Sequence, residues 1–115
     1  MPDLWMGPNL FRFEQVVLDR MIRPGTSGNY ALGLKDESGE FVPKYVGRSD
    51  TDLRAEMTAK LQTMKYPYFK FSPGNPSIAF ETECAQFHNF RTQLDNKAHP
   101  VSPEGSGLRC FLCGQ

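Results

Sequence analysis

Gly28-Asn29-Tyr30-Ala31-Leu32-Gly33-Leu34-Lys35, then Asp36-Glu37-Ser38-Gly39, then Glu40 through Ser49, then Asp50 through Met57: this run decides how the chain folds. Its first part predicts a strand over about 29–35 and its third a strand over about 40–46. The four residues between them are turn formers that end on a glycine, where a positive φ is easiest. Pro43 has no N–H to give a ladder, so it predicts a bulge or an edge position. After Gly47, Ser49 reads as a helix cap with Asp50 and Asp52 in the first turn, where carboxylates suit the helix dipole. Leu53, Met57, Leu61 and Met64 then make an apolar stripe that a sheet would cover.

Upstream, residues 1–8 read as an irregular arm. Asn9 is a good N-cap, and Leu10, Phe13, Val17 and Met21 fall at helical spacing, which predicts a helix over about 10–22. A strand through Phe13–Leu18 is the alternative, because Val16 and Val17 are β-branched. Pro24-Gly25-Thr26-Ser27-Gly28 breaks the periodicity. Downstream, Tyr66-Pro67-Tyr68 ends the helix and Phe69-Lys70-Phe71 alternates like a third strand. Asn75 reads as a cap with Pro76 at the first helical position. The helix that follows carries Ile78, Phe80, Cys84, Phe87 and His88 and ends near Thr92. From Leu94 onward the chain is polar and too poor in apolar residues to make a core, so something other than hydrophobic burial must order it.

Composition bounds the class. With 115 residues, 39% hydrophobic and 23% charged, the chain is one soluble domain with one modest core. A formal net charge of zero argues against a protein that holds nucleic acid by bulk charge, and leaves room for a local basic face. No apolar run approaches the roughly 20 residues of a membrane span, and the N-terminus lacks a signal-peptide pattern. Three cysteines without such a signal point to a reducing, cytoplasmic setting.

The two tyrosine tripeptides, Gly28-Asn29-Tyr30 and Tyr45-Val46-Gly47, stand with their tyrosines fifteen residues apart across the hairpin. Their order and spacing resemble the paired motifs of the GIY-YIG nucleases, over roughly residues 28–96. The resemblance implies an α/β domain with a small, mainly antiparallel three-stranded sheet flanked by helices. It implies hydrolysis of nucleic-acid phosphodiesters with Mg²⁺ or Mn²⁺ on one helix glutamate, here Glu83, with Glu81 as the fallback. Tyr30 and Tyr45 would line the cleft, one of them orienting or deprotonating the attacking water. The family carries an arginine on the helix after the second strand, and Glu56 stands in that slot. Arg54 lies about 200° around the helix, which leaves Arg48 as the cation for the phosphate. Asn29 also replaces an apolar residue of the first motif. The alternative implied is a catalytically inactive relative that binds nucleic acid or a protein.

Arg54, Lys60, Lys65 and Lys70, with aromatic residues interleaved, are the candidate contacts to nucleic acid, DNA ahead of RNA. A solvated helix face would carry the same residues.

Cysteine and histidine form a second constellation. Cys84 and His88 are four apart on one helix, and Cys110-Phe111-Leu112-Cys113 is a CxxC. Together they make four tetrahedral zinc ligands that would staple the tail, about 97–115. His99 is the alternative fourth ligand in place of Cys84. A buried, inert Cys84 with Cys110 and Cys113 as free thiols or a redox pair is the other reading. A His-Pro before a CxxC also resembles the tails of some bacterial GIY-YIG-like proteins.

Overall fold

The computed structural model describes residues 9–114, so the expected arm over 1–8 lies outside the described residues. Seven elements follow one another: β1 (Phe11–Arg12), α1 (Gln15–Met21), β2 (Gly28–Lys35), β3 (Phe41–Ser49), α2 (Leu53–Leu61), β4 (Tyr68–Pro73) and α3 (Pro76–Phe90). The strands form one sheet in the order β1-β4-β2-β3. Every pairing is antiparallel.

The expected hairpin is present, longer than predicted at its second strand. Asp36 Oδ1 accepts the backbone N–H groups of Ser38 and Glu40, and Gly39 takes φ 85°, which closes the turn. Leu32 faces Tyr45 while Gly33 faces Pro43, so Lys44 is the extra residue of a β-bulge. Pro43 therefore sits both at a bulge and on an edge strand.

The sheet has four strands among the described residues, not three. The expected helix over 10–22 starts five residues later, and Phe11–Arg12 pairs with β4 instead, opposite Phe69 and Tyr68. Neither alternative for this stretch placed its strand there. The reason is aromatic: Phe11 lies 5.4 Å from Phe69 and 5.9 Å from Phe71 between ring centroids, contacts that an extended backbone provides and a helix would not. Local periodicity lost to tertiary packing.

The two faces of the sheet carry different helices. Tyr30, Leu32 and Phe69 share a core with Phe13, Leu18, Ile22, Leu53 and Met57, which places α1 and α2 on that face. Ala31 and Val46 pack against Phe87 and Phe90 of α3 on the other. The start of α2 also corrects the expectation. Asp52 is its cap, accepting the Ala55 N–H, whereas Ser49 Oγ accepts from Thr51 and Asp52 in the turn before it. Asn75 caps α3 and Pro76 opens it, as the sequence predicts.

The outer edge of β3 is covered by the chain after α3. Asp95 N–H donates to Lys44 O, and Gln93 Nε2 donates to Pro43 O at 3.1 Å. The Asn96 amide accepts the Val46 N–H at 2.9 Å and donates to Val46 O at 2.8 Å, as a neighbouring strand would. Edge groups that could recruit another strand are thus satisfied.

Candidate functional site

Two polar constellations lie beside β3, and the sheet separates much of the first. On the α2 face, Tyr30 is fully buried and its hydroxyl donates to Glu56 Oε2 at 2.8 Å. Tyr45 stacks beside it with ring centroids 6.3 Å apart. Gly47 is directly opposite Tyr30, and a Cβ there would stand 2.5 Å from the phenol carbon and hydroxyl. The glycine of the second tripeptide is therefore the space into which the first tyrosine leans. Burial first, and then the charge of Glu56, raise the Tyr30 phenol far above its usual range. Tyr30 is fitted to donate a proton in a hydrogen bond, not to remove one from water.

On the α3 face, Arg48 stands opposite Asn29. Its guanidinium Nη1 lies 2.8 Å from Glu83 Oε1 and its Nε 2.8 Å from Asp50 Oδ1. Nη2 reaches the Val101 carbonyl of the tail, and the guanidinium sits 5.1 Å from the Phe80 ring centroid. Arg48 thus ties β3, the turn after it, α3 and the tail together. Its side chain and that of Glu83 are each only 10% exposed. Burial pushes the Glu83 carboxyl up to about 7, and the Arg48 charge only partly opposes this. Asn29 is buried and donates through Nδ2 to Ala79 O at 2.7 Å, which accounts for a polar residue in the first tripeptide. Glu81, the fallback carboxylate, is exposed on α3.

The four expected nucleic-acid contacts do not form one patch. Arg54 pairs with Asp19 of α1 at 3.1 Å. Lys60 lies 5.4 Å from the Tyr45 ring centroid and 3.9 Å from Glu56. Lys65 is exposed. Lys70 is opposite Ala31 and so stands on the α3 face, near Phe41.

The second constellation is compact. One ligand atom from each of His88, His99, Cys110 and Cys113 lies within 4.8 Å of every other. His88 Nε2 and Cys113 Sγ are each 3.3 Å from His99 Nε2. A tetrahedral metal with bonds of about 2.0–2.3 Å places its donors roughly 3.3–3.8 Å apart, so this cluster could hold one ion. Pro100 O can only accept, so the 2.7 Å contact from His99 Nδ1 fixes the proton there and turns Nε2 toward the cluster. Burial would raise the Cys110 thiol, but backbone N–H groups of Leu112 and Cys113, with His99 and Cys84, bring it down to about 6. That favours the thiolate a metal requires.

Cys84 is the correction. The favoured ligand set placed it in the cluster, with His99 as the substitute, and the structure brings in His99. Cys84 is fully buried with Phe80 and Cys110 in a small core patch that also takes Leu108. Burial raises its thiol well above the usual range. The tail therefore has a little apolar packing of its own beside the ligand cluster.

Sequence reasoning missed Asp50 as a partner of Arg48, Glu56 as the acceptor for Tyr30, and Asn96 as the edge cap. From sequence alone Asp50 reads as a helix-dipole charge, and the Arg-Ser-Asp spacing is the one local signal of the pair. Long-range partners such as Asn96 leave none. Among the described residues no helix is long and apolar enough to cross a membrane. No family model, no curated protein and no solved structure matches the chain.

Proposed function

We propose that this chain is a GIY-YIG-like domain that binds nucleic acid without cutting it, and that a zinc ion clamps its tail. The observation that carries the first part is the Tyr30–Glu56 hydrogen bond. Where the resemblance calls for an arginine to stabilise a phosphate in its transition state, a carboxylate accepts a hydrogen bond from the phenol. Anion beside buried phenol opposes phenolate formation and opposes approach of a phosphate to that spot. Arg48 does not offset this, because its donors already serve Asp50, Glu83 and Val101.

Zinc is supported by the donor set. Two imidazoles and two thiols suit a borderline-soft, tetrahedral ion and suit Mg²⁺ or Ca²⁺ poorly. Such an ion would fix the tail against α3, and the same tail supplies the carbonyl that holds Arg48.

A second reading, an active nuclease dependent on Mg²⁺ or Mn²⁺, is favoured by Glu83. A carboxylate beside a guanidinium at 2.8 Å is a pair that could share a metal-bound phosphate. The two readings part on one experiment. Fluorescence anisotropy with labelled single-stranded and duplex oligonucleotides, DNA and RNA, should give salt-dependent binding with the probe intact in Mg²⁺. No binding to any form would overturn the proposal, and a shortened probe would select the second reading.

A further inference from the structure

Among the described residues, three of the cavities differ in what their walls offer. One of about 740 Å³ between the α3 N-terminus and the tail is lined by Asp50 and Glu104 with no lysine or arginine. One of about 280 Å³ belongs to the His/Cys cluster. The third, about 360 Å³, lies beside β3 and is lined by Tyr45, Met64, Tyr66, Asn96, Lys97 and Ala98, with Asp95 at the Tyr66 hydroxyl. Its volume falls at the small end of ligand sites, which run from about 300 to 1,000 Å³.

From this groove we infer a subsite for one unpaired base of a single-stranded nucleic acid, an inference that rests on the nucleic-acid reading above. Aromatic and apolar walls accept a flat base, and cations at the rim meet the phosphates that flank it. Tyr66 and Met64 supply the apolar surface, and the exposed Lys97 supplies the charge. The walls are fixed in advance. Tyr66 is tethered to Asp95, and Asn96 is tied to both backbone groups of Val46. Lys97 lines this groove and the His/Cys cavity alike, so this wall runs on within two residues to His99 of that cluster. Preformed walls cost less to occupy. A duplex keeps its bases stacked inside and offers nothing for such a slot.

The test uses the full chain with its metal retained and a fluorescein-labelled single-stranded DNA decamer, alone and annealed to its complement. The single strand should bind more tightly than the duplex. Tyr66→Ala should weaken it about tenfold, the loss expected for one base-stacking ring. Tyr66→Phe keeps the ring and loses the Asp95 tether, so it should bind more weakly than the parent and more tightly than Tyr66→Ala, which separates stacking from wall preorganisation. Lys97→Ala, at an exposed position, should reduce the salt dependence by about one counterion. Parent-like binding by both Tyr66→Ala and Lys97→Ala would overturn the subsite and leave the nucleic-acid reading standing. Equal affinity for duplex and single strand would also overturn it. No binding of either probe by the parent protein would overturn both.

Discussion

The Tyr30 hydroxyl donates to the Glu56 carboxylate across 2.8 Å, joining the first tyrosine tripeptide to the helix that follows the second. The contact makes sense of two departures at once: an acid stands where an arginine is expected, and it meets the phenol that would otherwise be buried unsatisfied. Hydrogen bonds to charged groups contribute about 1.5–3 kcal/mol net, more than most neutral ones. Glu56→Ala should therefore destabilise the fold by about 1–3 kcal/mol in urea, and Glu56→Gln, which keeps an acceptor, by less. Equal losses in the two variants would mean that the hydrogen bond contributes nothing.

Gly47→Ala tests the same corner by volume. Its Cβ would fall 2.5 Å from the Tyr30 ring, which is fully buried and has nowhere to go. Overpacking of this kind costs about 1–3 kcal/mol. A neutral result in a denaturation series would show that Tyr30 does not occupy the space over Gly47.

Glu83 gives a pH dependence of definite sign. Burial pushes its folded-state carboxyl up to about 7 from the ordinary 4.5, so between those values the folded chain holds a proton that the unfolded chain has lost. The stability this contributes is complete below about 4.5 and disappears as pH rises through about 7. In Mg²⁺-free buffer, the stability of Glu83→Gln relative to the parent should therefore rise by a few kcal/mol between those limits. A difference that stays flat with pH would remove Glu83 from its buried place beside Arg48.

The His/Cys cluster predicts which residues hold metal. Elemental analysis of protein purified without chelator should find about one zinc per chain. His99→Ala should lose it, and Cys84→Ser should keep it. Because the thiols bind zinc as thiolates and the imidazoles as neutral rings, competition with a chelator should show zinc affinity falling as the pH is lowered. Zinc retained by His99→Ala and lost from Cys84→Ser would restore the ligand set first read from the sequence.

Much of the architecture was legible because it is local. The hairpin, the bulge at Pro43 and the Asn75-Pro76 helix start are each written within a few neighbouring residues. β1 was not legible, because Phe11 becomes a strand residue only through Phe69 and Phe71, nearly sixty residues away. The cap of α2 was misplaced by three residues because Ser49 and Asp52 both suit a cap and only the geometry separates them. At the metal cluster the sequence offered five ligand-type residues for four places. Helical spacing favoured Cys84, but the fold turns Cys84 into the core, and the carbonyl of Pro100 orients His99 instead. Arg48, Tyr30 and Glu83 were named from sequence, whereas their partners Asp50, Glu56 and Val101 needed the three-dimensional structure.

The central claim is that a carboxylate at the Tyr30 hydroxyl leaves this domain able to bind nucleic acid and unable to hydrolyse it. The most direct measurement incubates the parent protein with labelled single-stranded and duplex DNA and RNA in Mg²⁺ and in Mn²⁺, and resolves the products on a denaturing gel beside Glu83→Gln. The account predicts full-length probe in every lane, at protein concentrations where binding is saturated. Metal-dependent cleavage by the parent that disappears in Glu83→Gln would contradict it.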